Sequence, residues 1–517
     1  MTAPIPRSHQ ERALIAGRQH VIEGRKRVIF VAPCGSGKTV LASAIIHSAR
    51  RNFNAKILFV VHRLELIDQT IEQLAKWDVT EVGVIRAKDK RTAPLMPVQV
   101  ASIQTLVRRD LPWVPDIIFI DECHRAAAES FHKAIFNEFP DTTIFGLTAT
   151  PARTDGKPLG KIVGGPFDAL EITATYSDLI ANKYVCEPKC FSTPKKPDLS
   201  NVHTVAGDFD QGELEEVMLN EALVGDIYEH YKELAQGRKA VIFATGIKHS
   251  LSIVDRFLTA GVRAAHIDGN TPEEVRRSIL SSLETGEIDV VSNCSVLLEG
   301  WDQPSVKYLA LARPTKSLVL YMQAAGRVLR PWNDVQPIIV DHGGNYDRHG
   351  APHEDRVWSL DVPPKRKAES KWKTCPKCYA YIPSSARECP HCKHSFVVKD
   401  DLFFVPPHEL RAKLEERKIP ADQKRAFFEQ VAREAKSKGF KPGFAGAKYK
   451  EKFGAWPPWE WSQDLLAQYE SDPIWKAKLA FREERRAHYA ERDARRTNDE
   501  LIAMAEREMN DDGDIPF

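Results

Sequence analysis

Residues 32–39 read Ala-Pro-Cys-Gly-Ser-Gly-Lys-Thr and follow directly on the apolar run Val28-Ile29-Phe30-Val31. The apolar run predicts a buried strand, and the glycine-rich turn that ends in Lys-Thr predicts the start of a helix. Backbone N–H groups at that helix start would converge on a triphosphate, because the positive end of the helix dipole favours an anion. These N–H groups belong to Gly35, Ser36, Gly37, Lys38 and Thr39. Lys38 is expected to bind the β- and γ-phosphates of ATP, and the hydroxyl of Thr39 to ligate Mg²⁺.

Two acidic residues follow a second apolar run, Ile117-Ile118-Phe119-Ile120. A carboxylate at the end of a buried strand reaches the edge of a parallel sheet without disturbing its core, so Asp121 is expected to hold the Mg²⁺ ion. Glu122 is then expected to orient and deprotonate the attacking water. The alternative interpretation is an exposed acidic pair that caps a helix.

Length and composition indicate a multidomain protein without a membrane segment. The chain has 517 residues, of which 43% are hydrophobic, which is enough for three or more domains with sizeable cores. The formal net charge is only +2, so a nucleic-acid surface must come from local clustering of charge. The apolar runs are too short to span a bilayer, and the first ten residues lack a secretory pattern. The expected location is the cytoplasm.

Alternating strand and helix patterns restart after residue 225, which predicts a second parallel α/β domain. Its apolar runs lie at 240–243, 264–267, 290–291, 308–311 and 338–340. This half has no phosphate loop of its own. It carries Glu-Gly-Trp-Asp at 299–302 and a segment with Arg327 and Arg330, which we expect to lie on one helix face.

These motifs, in this order over about residues 5–350, resemble those of the superfamily 2 helicases, whose two RecA-like domains clamp one ATP molecule. Ala32 stands where the phosphate-loop pattern usually has its first glycine, a departure common in helicase-type ATPases. The resemblance implies that Arg7 and Gln10 read the adenine and that residues 61–66 contact a nucleic-acid strand. It also implies that Thr148-Ala149-Thr150 couples hydrolysis to domain movement.

In the second half, the resemblance implies that Gly300 and Asp302 contact the ribose. Gln323, Arg327 and Arg330 resemble the final helicase motif, in which the two arginines reach across the cleft to the γ-phosphate. Chemistry agrees, because a buried arginine pair needs an anionic partner and stabilises charge in the transition state. For an isolated arginine pair, a solvated helix face would be the ordinary interpretation.

Further segments resemble the RadD-type helicases of bacteria and their phages. They include 159–167, 197–211, 340–350 and 358–361. The resemblance implies a helicase or translocase that acts on single-stranded or forked duplex DNA in repair, recombination or replication. The preference for DNA rests on family likeness alone. An RNA helicase, an ATP-switched DNA-binding adaptor and the motor subunit of a restriction system remain alternatives, although no clear nuclease motif is present.

Two Cys-Pro-x-Cys pairs lie ten residues apart. They are Cys375, Cys378, Cys389 and Cys392. Four thiolates in this pattern can surround Zn²⁺ tetrahedrally, and the turns can direct backbone N–H groups at the sulfurs. A redox pair or an iron–sulfur cluster is the alternative. With no open position for a substrate, the zinc site is expected to be structural.

The C-terminal part is basic, then mixed in charge, then acidic. Residues 411–452 hold thirteen Lys and Arg against six Asp and Glu, with aromatic residues between them. Such a module suits nucleic acid, whereas the alternative is a small helical domain whose aromatics form its core, the interpretation that we favour for Phe427 and Phe428. The basic run 363–373 has two interpretations of its own, a phosphate contact or a solvated linker.

The final segment, Asp511-Asp512-Gly513-Asp514-Ile515-Pro516-Phe517, resembles the acidic tip of bacterial single-stranded DNA-binding protein. That tip docks its terminal Phe and carboxylate into pockets on repair enzymes. The resemblance implies that residues 514–517 bind the proteins that recognise this tip, or occupy a pocket of this chain. A chance match of so short a pattern is the alternative.

The prediction for the whole chain is therefore an α/β fold with two tandem RecA-like domains, a four-cysteine zinc ribbon and a helical C-terminal region. The predicted segments are 1–165 for the first, ATP-binding domain, 166–224 for a connecting segment, 225–362 for the second domain, 370–398 for the ribbon, 400–475 for the basic module, and 476–517 for a charged helix and acidic tail.

Overall fold

A computed structural model gives the fold of the chain. It describes residues 4–87, 89–153, 158–362, 371–396, 420–438, 440, 443–453 and 456–470. The chain divides into two compact units, residues 1–398 and 399–517. Much of the basic linker 363–373 lies outside the described residues, and so do the predicted charged helix 476–509 and the acidic tail.

The first sheet has seven strands, all parallel, in the order β3-β4-β2-β5-β6-β1-β7. Its strands are β1 (Arg27–Val31), β2 (Ile57–Val61), β3 (Val82–Ile85), β4 (Val98–Ser102), β5 (Ile117–Asp121), β6 (Thr143–Thr148) and β7 (Ala169–Ile172). The helices with it are Ser8–Ile22, Lys38–Phe53, Glu65–Lys76, Ile103–Leu106, Glu129–Phe131 and Tyr176–Ala181, with a π-helical turn at His132–Phe136. Helices cover both faces, so the strands are apolar throughout rather than alternating.

The second sheet has six parallel strands in the order β12-β13-β11-β14-β15-β8. Its region of the chain contains β8 (Lys189–Ser192), β9 (Thr204–Val205), β10 (Asp208–Phe209), β11 (Lys239–Phe243), β12 (Ala264–Ile267), β13 (Val290–Asn293), β14 (Val306–Leu311) and β15 (Ile338–Asp341), of which β9 and β10 form a separate hairpin. The helices are Gln211–Met218, Glu221–Leu234, Ile247–Thr259, Glu273–Thr285, Leu318–Gly326 and Asn345–His349. The predicted fold of two RecA-like parallel-sheet domains is confirmed.

The segment 166–224, which we predicted to connect the two domains, contributes a strand to each of them. β7 pairs with β1 at one edge of the first sheet, and β8 pairs with β15 at one edge of the second. Strand β8 is too short and too polar at its ends for its role to be read from the sequence. The chain therefore enters the second sheet well before residue 225.

The four-cysteine segment packs against the second domain. Strands β16 (Trp372–Thr374) and β17 (Tyr381–Pro383) form a hairpin, and Ala380 bridges Phe191 of β8. The side chains of Cys375 and Cys389 are buried in the same apolar cluster as Phe191. The ribbon is thus joined to the core of the second domain.

The C-terminal unit is a small helical module. Its described helices are Ala421–Ser437, Gly443–Phe453 and Trp459–Glu470. Phe428 and Tyr449 are buried, and Phe427, Phe453 and Trp461 pack around them. These aromatics therefore form a core, the interpretation that we favoured for Phe427 and Phe428. In the described ranges, no helix combines the length and apolar character that a bilayer crossing requires.

Candidate functional site

The phosphate loop, residues 32–39, joins β1 to the helix Lys38–Phe53 at the carboxyl edge of the first sheet. Gly35 and Gly37 have φ angles of 85° and 86°, which only glycine adopts readily. No side chain caps the helix start, so its N–H groups are directed into the loop. The Nζ atom of Lys38 lies 3.4 Å from the carbonyl oxygen of Ala32. The loop is therefore shaped as the sequence predicts for a phosphate cradle.

The predicted adenine-reading residues lie at the start of the first helix, beside this loop. The Nε2 atom of Gln10 lies 3.2 Å from the carbonyl oxygen of Gly37 and 3.4 Å from that of Ser36. His9, which the sequence did not single out, contacts the same Ser36 oxygen at 3.1 Å. Arg7 lies over the ring of Tyr184 at 4.1 Å. Gln10 thus braces the phosphate loop.

Asp121 ends β5 and Glu122 follows it, both close enough to Lys38 to interact with its charge. Burial and the charge of Glu122 raise the pKa of Asp121 to about 7, and Lys38 opposes that shift. For Glu122, burial is outweighed by the hydrogen bond from His124 and by the charge of Lys38, which lower its pKa. Glu122 has a left-handed φ of 48°, a strained conformation of the kind that concentrates at active sites. A cation beside Asp121 would supply the charge that this buried carboxyl needs.

A buried network links Glu122 to the end of β6. The Nδ1 atom of His124 lies 3.2 Å from the Oε2 atom of Glu122 and 3.3 Å from the Oγ1 atom of Thr148. The hydroxyl of Thr148 in turn accepts a hydrogen bond from the backbone N–H of Thr150 at 3.1 Å. A movement of the 148–150 segment would therefore shift His124 and change its contact with the Glu122 carboxylate.

The second domain closes on the phosphate loop at Gly326. A Cβ atom placed on Gly326 would lie only 2.4 Å from the Cβ atom of Cys34, and one on Gly35 would lie 3.8 Å from the Cγ atom of Arg330. The predicted ATP-binding loop and the predicted final helicase motif are therefore in contact across the cleft between the two sheets.

The prediction that Arg327 and Arg330 share a helix face is wrong. The helix Leu318–Gly326 ends one residue before Arg327, and Arg330 lies in an irregular turn. Pro331 disfavours helical geometry at the residue before it. The buried Lys307 donates hydrogen bonds to the carbonyl oxygens of Val328 and Arg330, which holds the turn open.

Both arginines nevertheless lie in the cleft. Arg327 donates to the carbonyl oxygen of Trp301, and its buried Nε atom has no hydrogen-bond partner among the described residues. Arg330 pairs with Asp302, and burial lowers the pKa of its guanidinium although Asp302 opposes that shift. A guanidinium in this setting is a natural partner for a phosphate anion.

Gly300 faces the first domain. Its carbonyl oxygen accepts a hydrogen bond from Gln69 at 2.9 Å, and a Cβ atom placed on it would lie 3.7 Å from the Cβ atom of Glu65. Asp302 pairs with Arg330 of its own domain, the arginine whose Cγ atom lies near Gly35 of the phosphate loop.

Sequence reasoning missed the carboxylate that makes the most contacts in the described part of the interface. Glu299 belongs to the quoted Glu-Gly-Trp-Asp motif, but its neighbours come from distant parts of the chain. His62, Arg63 and Arg125 of the first domain and Gln323 of the second all contact its carboxylate. The only sequence signal was a charged residue inside an apolar loop, 295–301.

The four predicted metal-ligating cysteines are brought together. Their sulfur atoms all lie within 4.8 Å of one another, and the Cys375–Cys392 and Cys378–Cys389 sulfur pairs are each 3.6 Å apart. Tetrahedral zinc–sulfur bonds of about 2.3 Å place sulfurs about 3.8 Å apart, so this arrangement fits a metal ion. Backbone N–H groups of Cys378 and Lys377 outweigh burial and lower the pKa of Cys375 to about 7.

The C-terminal module also has a charged cavity. The cavity measures about 410 Å³ and is lined by Arg425, Arg433, Lys436, Phe428 and Trp461, among others. Arg425 is partly neutralised, because it pairs with Glu429 at 3.0 Å and with Asp464 at 3.7 Å. The module therefore keeps both an aromatic core and a basic lining.

Comparisons with known proteins bear on both domains. Residues 4–153 match the family described as type III restriction enzyme, res subunit, and residues 221–331 match the helicase conserved C-terminal domain. The chain is 30% identical over 423 residues to a 51.5 kDa protein of a Lactococcus phage. The aligned part covers 79% of this chain and 89% of that protein.

Two further relatives carry helicase names. The Saccharomyces cerevisiae protein IRC3, whose name places it with the ATP-dependent helicases, is 31% identical over 350 residues, covering 64% of this chain and 50% of that protein. The ATP-dependent DNA helicase uvsW of phage T4 is 23% identical over 365 residues, covering 69% and 68%. The chain thus spans about half the length of the yeast relative.

Among solved structures, a fragment described as an HsdR subunit of a type I restriction enzyme from Vibrio vulnificus has the same fold. It superimposes with a TM-score of 0.51 at 19% identity, covering 68% of this chain and 67% of that fragment.

Proposed function

Since the chain belongs to the superfamily 2 helicases, we propose that it couples ATP hydrolysis to movement along DNA, as a helicase or translocase in repair, recombination or replication. One observation carries the proposal. The phosphate loop, Asp121 and Glu122 of the first domain and Arg330 of the second lie around one interdomain cleft. Such a site can bind ATP and respond to it by moving two domains.

In the first domain, we assign Lys38 and the loop N–H groups to the phosphates of ATP. Thr39 and Asp121 would hold Mg²⁺, which supplies positive charge at the β- and γ-phosphates when bound. The lowered pKa of Glu122 keeps its carboxylate ionised at neutral pH, as a group that orients water and accepts a proton must be. Gln10 and Arg7 would lie at the adenine end.

In the second domain, Arg327 and Arg330 would stabilise the charge that develops on the transferred phosphoryl group. Their current partners, the Trp301 carbonyl and Asp302, keep them in the cleft and can be exchanged for phosphate oxygens. Gln323, Gly300 and Asp302 complete this side of the site. Release of the hydrolysis products would then loosen the contact between the domains.

Two observations support DNA as the nucleic acid along which the protein moves. One phage relative is named as a DNA helicase, and several segments resemble the RadD-type helicases. The basic lining of the C-terminal module offers a second surface for phosphates. An RNA helicase or an ATP-switched adaptor would use the same ATP site, so the nucleic acid has to be tested directly.

The test measures ATP hydrolysis by the purified protein without nucleic acid and with single-stranded DNA, forked DNA or RNA. We expect stimulation by DNA that disappears in a Glu122→Gln variant and persists in a Glu273→Gln control, which removes an exposed carboxylate that pairs with Arg277 of its own helix. Stimulation by RNA alone would overturn the choice of substrate. Hydrolysis of ATP without unwinding of forked duplexes and without movement of the protein along DNA would favour the adaptor.

We further assign Zn²⁺ to the four cysteines of the ribbon, as a structural ion. Their sulfur spacing supports it, and four thiolates leave no position open for a substrate. Zinc determination on the purified protein, with and without a Cys378→Ser substitution, tests the assignment. One zinc ion per chain is expected without the substitution and none with it.

The acidic tail, residues 514–517, is proposed to bind the proteins that recognise the tip of single-stranded DNA-binding protein. It lies outside the described residues, so its sequence alone supports the proposal. Deletion of Ile515–Phe517 should weaken binding to such a protein in a fluorescence-anisotropy titration. Unchanged affinity would refute the proposal.

A further inference from the structure

Glu299 is the most heavily bonded carboxylate in the described interface between the two RecA-like domains. It follows β13 in the second domain, and its side chain is 2% exposed. Its Oε2 atom lies 2.5 Å from the Nε2 atom of His62 and 3.1 Å from the Nε atom of Arg63. Its Oε1 atom lies 3.2 Å from Arg125 and 2.9 Å from the Nε2 atom of Gln323.

Three of these four partners belong to the other domain. His62 and Arg63 follow β2, and Arg125 follows the Asp121-Glu122 pair. Separation of the domains would leave the Glu299 carboxylate with Gln323 alone among these partners. A buried carboxylate is tolerated only when it is paired and hydrogen-bonded, so this cluster is favourable only in the closed arrangement.

The charge balance of the cluster favours the ionised carboxylate. Burial would raise the pKa of Glu299, but the hydrogen bond and charge of His62 and the charge of Arg125 outweigh burial and lower it. Hydrogen bonds to charged groups are each worth more than neutral ones, and Arg63, Arg125 and Gln323 each donate one to this carboxylate. The paired carboxylate of Glu299 therefore favours the closed arrangement of the two domains.

The three segments that Glu299 joins have different tasks in the proposed function. Residues 61–66 resemble the strand-contacting motif, Arg125 belongs to the segment that carries the water-orienting Glu122, and Gln323 lies one helical turn before Arg327. We propose that Glu299 is a positioning residue that couples the nucleic-acid contact at His62 and Arg63 to assembly of the ATP site. This inference rests on the proposed function and adds the route by which nucleic acid stimulates hydrolysis.

The main test compares wild type, Glu299→Gln and the Glu273→Gln control in ATP hydrolysis with and without single-stranded DNA. In Glu299→Gln, we expect the DNA-stimulated kcat to fall at least about tenfold while KM for ATP changes less than about threefold, because the phosphate loop is intact. Glu299→Asp, which keeps the charge, should recover part of the stimulation. Wild-type stimulation in Glu299→Gln would overturn the proposal, and so would an equal loss of the unstimulated rate.

A second measurement does not depend on the choice of nucleic acid. Hydrogen–deuterium exchange in the segments 62–66 and 295–301 reports closure when a non-hydrolysable ATP analogue and Mg²⁺ are added. Wild type and Glu273→Gln should gain protection in both segments, and Glu299→Gln should not. If Glu299→Gln closes as wild type does, the proposal is wrong even if no nucleic acid stimulates the enzyme. If wild type closes but ignores DNA, the proposed function fails while Glu299 keeps its role in closure.

Discussion

A single methyl group at Gly326 should hold the two RecA-like domains apart. In Gly326→Ala, the new Cβ atom would lie 2.4 Å from the Cβ atom and 2.8 Å from the Sγ atom of Cys34 in the phosphate loop. Ordinary carbon–carbon contacts are about 3.5–4.0 Å, so the helix end and the loop must separate by about 1 Å or more. A misplacement of that size near the reacting groups can lower a rate about 100-fold, or about 2.7 kcal/mol in the barrier.

Steady-state ATP hydrolysis at saturating nucleic acid is the assay. The expected result is a kcat about 100-fold below wild type and a thermal unfolding temperature that changes little, because opening of the cleft relieves the clash without disturbing either core. Gly225→Ala is the matched control. That glycine lies in the helix Glu221–Leu234, and a Cβ atom there would meet nothing within 4 Å.

A compensating change makes the test sharper. Cys34→Gly in the Gly326→Ala background removes both atoms that the new methyl group meets, and should restore part of the lost kcat. If Gly326→Ala alone keeps kcat within about threefold of wild type, the closed contact between Gly326 and Cys34 has no role in turnover and the reasoning is refuted.

Two further predictions concern the second domain. Cys378→Ser should lower the unfolding temperature by several degrees, while Cys186→Ser should not, because the ribbon shares the buried cluster of the second domain; differential scanning calorimetry measures both. Burial lowers the pKa of His249 to about 4, so the unfolded chain takes up a proton that the folded chain does not as the pH falls from about 6.5 to 4. Stability should therefore decrease over that interval by up to about 3 kcal/mol and stay unaffected above it. Chemical unfolding of His249→Gln should show a weaker pH dependence, and an unchanged dependence would contradict the assignment.

The strands and the phosphate loop were predictable because they depend on local pattern. Each apolar run quoted for the two domains lies in a strand of the structure, since buried parallel strands have no polar face to obscure the signal. The four cysteines were equally clear, because metal ligation fixes both residue type and spacing.

What could not be predicted depends on contacts between distant segments. The helix before Arg327 ends at Gly326. In the turn that follows it, the carbonyl oxygens of Val328 and Arg330 accept hydrogen bonds from Lys307, which lies about twenty residues earlier in the chain. Glu299 gains its surroundings only when His62 and Arg125 of the other domain meet it. β8 falls within the predicted connecting segment because its place in the second sheet is decided by β15, about 150 residues away.

The docking of the ribbon on β8 also protects the molecule from self-association. β8 is an edge strand of the second sheet, and the unpaired backbone groups of an edge strand can form hydrogen bonds with a strand of another molecule. The Ala380 bridge to Phe191 and the hydrogen bond from the Ser192 N–H to the Tyr379 carbonyl, 2.8 Å long, cover part of that edge. Loss of the metal would therefore expose the unpaired edge of β8. A preparation depleted of zinc should then aggregate before either RecA-like core unfolds.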